Sequence, residues 1–92
     1  MPEDVPSDVQ SVLTQLFEET ETAIRADDFD TARQTIETAT TVSRNKLPEG
    51  DLRAWLLHGC GEVLAAITLE NGVESDVAVA YVQAMVRRLP DQ

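Results

Sequence analysis

Apolar residues recur at three- and four-residue steps in four separate stretches of this chain, and turn-forming clusters separate the stretches. Val9, Val12, Leu13, Leu16, Phe17, Thr20, Ala23 and Ile24 fall on one side of a helix that turns about 100° per residue. Glu18, Glu21 and Arg25 fall on the other, as a solvated face does. Ser7, just after Pro6, is placed to cap this first helix, predicted over about 7–26. "ADDFDTA" then interrupts the pattern. Asp28 or Asp30 can cap a second helix, predicted over about 30–46, with Phe29, Ala32, Ile36, Ala39, Thr40, Ser43 and Leu47 turned inward. That face is small and partly polar. It permits close approach of a neighbouring helix but offers little apolar area, so the second helix is expected to be the least firmly held.

"NKLPEGD" reads as a loop. Pro48 stops the second helix and Asp51 is a possible cap for the third, predicted over about 51–70 and ended by Asn71-Gly72. Leu52, Leu56, Gly59, Cys60, Val63, Leu64 and Ile67 share one face of it. Ala54, Leu57, Ala65 and Ala66 carry the apolar surface nearly all round, leaving a narrow polar strip through Asp51, His58 and Glu62. A helix of that kind is central to its domain or covered by a partner. Ser75 is placed to cap a fourth helix, about 75–89, with Asp76 in its first turn and Ala78, Tyr81, Val82, Met85, Val86 and Leu89 inward. Arg87 and Arg88 lie in its last turn, where positive charge suits the helix dipole, and Pro90 follows. The expectation is one all-α domain over 1–92: a four-helix antiparallel bundle with short loops, the first two helices a hairpin and the third helix central. Residues 1–6 and 90–92 are expected to fray.

Within residues 16–47, "DDFDTARQTIETA" resembles the second helix of a tetratricopeptide-type hairpin. Phe29, Ala32, Ile36 and Ala39 stand where that family repeats an aromatic, an alanine, a large apolar residue and an alanine. Upstream, Leu16 fits, while Glu19 and Ala23 replace larger apolar residues, and the usual proline is displaced to Pro48. The resemblance implies an antiparallel hairpin and, through the family, peptide binding. A single repeat cannot bury its own face, so it implies no solenoid.

"LLHGCGE" holds the only histidine and the only cysteine of the chain. Two residues apart on a helix, His58 and Cys60 point about 200° away from each other. They can neither share a metal nor form a nucleophile–base pair, and a structural zinc site needs ligands that the chain lacks. Cys60 falls on the apolar face as a small hydrophobe. Gly59, beside it, is expected to allow close helix contact, whereas Gly61→Ala is expected to be harmless; a kink at Gly59–Gly61 is the alternative. His58 and Glu62 are spaced as a one-turn pair. Asp27, Asp28 and Asp30 lack calcium-loop spacing and sit where a turn and a cap want Asp anyway. The four glycines form no phosphate-binding pattern.

Charge narrows the picture further. Seventeen acids face seven bases, a net charge of −10, with Lys46 the sole lysine and threonine frequent. This balance resembles that of small acidic proteins of salt-loving archaea, where molar salt shortens the Debye length to roughly 3 Å and relieves carboxylate repulsion. The excess is uneven: −8 over residues 1–30, +1 over 31–60 and −3 over 61–92. Such a surface repels nucleic acid. One cysteine makes no internal disulfide, the N-terminus lacks a signal-peptide pattern, and no apolar run is long enough for a membrane span. A cytoplasmic protein follows. The function expected is a non-catalytic helical protein-interaction or accessory module, without cofactor or metal, binding a protein partner or a second copy. Leu52, Trp55, Leu56 and Gly59 are the candidate interface. The alternative is a small-molecule-binding protein or enzyme using His58 and Glu62.

Overall fold

The computed structural model describes residues 5–68 and 74–89. Four helices account for nearly all of them: α1 (Ser7–Arg25), α2 (Phe29–Lys46), α3 (Asp51–Ile67) and α4 (Ser75–Arg88). The expected boundaries lie within one residue of these wherever the chain is described. The expected end of α3 near Glu70, its Asn71-Gly72 stop, Pro90 and the termini lie outside the described residues. The helices pack in a ring, α1 on α2, α2 on α3, α3 on α4 and α4 on α1, with no diagonal contact among the described residues. The third helix is therefore one corner of a square, not its axis. Neighbours run antiparallel. Gly59 of α3 meets Met85 of α4, and four residues earlier Trp55 lies under Arg88. On the opposite side, the end of α1 and Asp27 border a groove with the start of α4.

Local chemistry sets the helix ends, and three of the expected caps are corrected. Asp28 caps α2, its Oδ1 accepting from the Thr31 N–H at 3.3 Å. Ser7, Asp51 and Ser75 are instead the first helical residues, following Pro6, Gly50 and Glu74 in the cap positions. At the start of α1 the Pro6 carbonyl already accepts from Gln10, so the helix begins one step earlier than a Ser7 cap requires. Between α1 and α2 the Asp28 N–H donates to the Ala23 carbonyl at 2.8 Å and the Asp27 N–H to the Ile24 carbonyl at 3.1 Å. This is a Schellman closure, with Asp27 in the left-handed position at φ 60°.

Leu13, Phe17, Ile24, Ile36, Leu56, Val63, Val82 and Met85 fill the centre and are almost fully buried. Val12 does not join them. Expected inward, it is 45% exposed, because it lies at the margin of the α1 stripe and no neighbouring helix reaches it. Thr20 is buried on the α1–α2 seam. Its hydroxyl donates to the Leu16 carbonyl at 2.8 Å and lies 2.6 Å from the Thr35 hydroxyl, so the buried oxygen is satisfied. The small α2 face, with Ala32, Ala39 and Ser43 buried, lets its neighbours come close.

Candidate interaction face

The helix α3 runs unbroken through Gly59 and Gly61, and this fixes the chemistry of "LLHGCGE". Cys60 is 1% exposed and takes a hydrogen bond with Thr40; burial pushes its thiol pKa up to about 11. It stays protonated at neutral pH and out of reach of solvent, a packing residue and a poor nucleophile. His58 points the other way, into water. Its Nε2 lies 3.7 Å from Glu62 Oε1, and the two side chains are 67% and 43% exposed. Among the described residues no group of three or more His, Cys, Asp and Glu side chains could hold a metal ion. A surface groove lies elsewhere, about 420 Å³ between α1 and α2, lined by Glu18, Glu19, Thr22 and Asp28 among others.

The four residues expected to form an interface divide sharply. Leu52, 5% exposed, Leu56, 0% exposed, and the buried Gly59 face the bundle's own core and are spent on folding. Gly59 serves α4: a β-carbon there would stand 2.6 Å from the Met85 sulfur, so the absent side chain makes room for Met85. Trp55 alone of the four reaches the surface, 37% exposed, its ring under the Arg88 guanidinium at 5.7 Å.

A second row of α3 residues is open to solvent instead. Ala54, His58, Gly61 and Ala65 lie along one outward line, with Trp55, Leu57 and Leu64 flanking it. A β-carbon on Gly61 would meet nothing within 4 Å. A helix-interior glycine costs about 1 kcal/mol relative to alanine, and nothing inside the bundle uses the space it leaves. Beside this line, Glu49, Gly50, Arg53, Ala54 and Leu57 border a groove of about 200 Å³. Arg53 Nε is buried there without a hydrogen-bond partner; only its Nη1 reaches Glu49, at 4.0 Å. The sequence carried a signal for this face, the apolar surface running nearly all round α3, but that signal did not say how much of it the core would leave open.

Residues 1–91 match the family model described as a Domain of unknown function (DUF8101). The chain belongs to this family. No curated protein and no solved structure matches it.

Among the described residues of this DUF8101 chain, charge is sorted along the bundle axis. Arg44, Lys46, Arg53, Arg87 and Arg88 gather at the end where α2 and α4 finish and α3 begins, against Asp8, Glu49 and Asp51. At the opposite end stand Glu18, Glu19, Glu21, Asp27, Asp28 and Asp30, with Glu74 and Asp76 across from them, against Arg25 and Arg33. Helix dipoles favour part of this arrangement, since α2 and α4 start at the acidic end and finish at the basic one. No helix among the described residues of the DUF8101 chain is long and apolar enough to cross a membrane.

Proposed function

We propose that this chain is a non-catalytic helical module that works by docking a protein, and that the outward face of α3 is its docking surface. The observation that carries the reading is Trp55, 37% exposed beside Ala54, Leu57, Gly61 and Ala65, on a helix whose opposite side already fills the core. Contiguous apolar exposure with an aromatic anchor is what binding surfaces present, and tryptophan is enriched in them. The resemblance of the α1–α2 hairpin to a tetratricopeptide unit points the same way, toward protein binding. Chemistry at His58 and Glu62 is less well supported: their side chains are 67% and 43% exposed, open to the solvent that such chemistry has to exclude.

We further infer a cytoplasmic protein adapted to molar salt, without nucleic-acid or membrane partners. Support comes from the net charge of −10, the single lysine and the carboxylates crowded at one end of the bundle.

The deciding experiment is co-purification from native extract in molar KCl, comparing wild type with Gly61→Arg. A stoichiometric protein partner, or a second copy, is expected on the wild type and absent from the variant. Equal binding by both would remove the α3 face from the proposal.

A further inference from the structure

We infer that the occupant of the α3 face is the same face of a second copy, packed antiparallel across a twofold axis. The inference rests on the docking role proposed for α3 and names the partner.

A twofold interface must be self-complementary, each residue meeting a partner residue that it also receives in return. The outward line of α3 meets this condition when one helix is reversed on the other about a point between Gly59 and Cys60. Ala54 then faces the partner's Ala65, and the His58 imidazole enters the gap over the partner's Gly61. The vacancy at Gly61, which nothing in the single chain occupies, receives a side chain. Small residues at Ala54 and Ala65 let the two backbones approach closely.

Charge selects the same arrangement. With the helices antiparallel, the basic end of each bundle lies beside the acidic end of the other. A parallel pairing would set acidic end against acidic end. The most acidic helix, α1, occupies the corner diagonal to α3. Pairing through α3 therefore keeps the two α1 helices as far apart as the bundle allows. Electrostatics of this kind fixes orientation and partner choice, while the buried apolar strip supplies affinity.

The test uses the purified full chain in molar KCl. Sedimentation equilibrium of the wild type is expected to give twice the chain mass. Gly61→Arg and Ala65→Arg are each expected to give a monomer with unchanged helicity, at least ~10-fold weaker in self-association. Either variant decides the question if the other fails to fold. Register is read by mixing His58→Cys chains with Gly61→Cys chains. Mixed chains are expected to cross-link to each other faster than either does to itself, with buried Cys60 silent. A monomeric wild type at all concentrations overturns self-pairing, as does a dimer that survives both arginine variants. A dimer with no preference for the mixed cross-link overturns the antiparallel register. A wild-type monomer that still holds a different protein through Gly61 would leave the docking role standing and this inference refuted.

Discussion

The sulfur of Met85 lies 2.6 Å from the point where a β-carbon on Gly59 would stand. Both residues are buried, and α3 and α4 meet there. Any side chain at 59 must displace Met85. Gly59→Leu is expected to cost about 1–3 kcal/mol or more through overpacking, beyond what better helix propensity returns. Urea denaturation in molar KCl measures this, and wild-type stability in the variant would contradict the contact.

Two residues later the same substitution type has the opposite sign. Gly61→Ala adds a methyl group that meets nothing, so only the backbone term changes. A gain of about 0.5–1 kcal/mol is expected for the single chain by the same measurement. A loss would mean that the space above Gly61 is used within the fold.

Asp27 holds the left-handed position of the Schellman closure at φ 60°, where glycine carries no side-chain penalty. The Asp27→Gly variant should gain a few tenths of a kcal/mol to about 1 kcal/mol, and it removes one charge from the acidic end. A fall in melting temperature would show that the Asp27 carboxylate has a local role that outweighs backbone strain.

Cys60 links pH to stability. Burial raises its thiol from the ordinary 9.0 to about 11 in the folded state. The folded chain thus holds its proton more tightly than the unfolded chain, and stability falls as pH rises above about 9, the loss being complete near 11. The size is on the order of 2–3 kcal/mol. The alkaline slope of unfolding free energy for wild type, minus that of Cys60→Ala, isolates the contribution. Identical slopes would refute it. A slow reaction of native protein with a thiol reagent at pH 8, becoming fast on unfolding, is the companion expectation.

Crowded carboxylates make stability depend on salt. Moving from molar to millimolar KCl is expected to lower the melting temperature by at least ~5 °C, about 1 kcal/mol for a domain of this size. Circular dichroism melts at the two concentrations check this; an unchanged temperature would argue against salt adaptation.

Most of the fold was legible in the sequence because helix position is a local property. The stripes of α1, α2 and α4 have one apolar side, and the residues read as inward are mostly those that the core encloses. Caps were less legible. Ser7, Asp51 and Ser75 are all good capping residues, yet each sits one step inside its helix, since the choice between adjacent residues depends on the chain direction before the first turn. The divergence of His58 and Cys60 followed from helical spacing alone. That Leu52, Leu56 and Gly59 share the Cys60 face followed from the same spacing, but not that the core would take that whole face and leave Trp55 partly exposed.

Four helices, their approximate limits and the inward turn of the lone sulfur follow from periodicity and turn chemistry, which act over a few neighbouring residues. Packing between helices settled how much of the α3 surface the core would cover, and that among the described residues the bases would collect at one end of the bundle and the acids at the other. A helix apolar nearly all round does not say how far its neighbours will wrap it; α2 and α4 cover the Cys60 side and leave Trp55, Gly61 and Ala65 exposed. Charge sorting likewise arises when antiparallel packing brings distant helix ends together, a relation that no local stretch of chain contains.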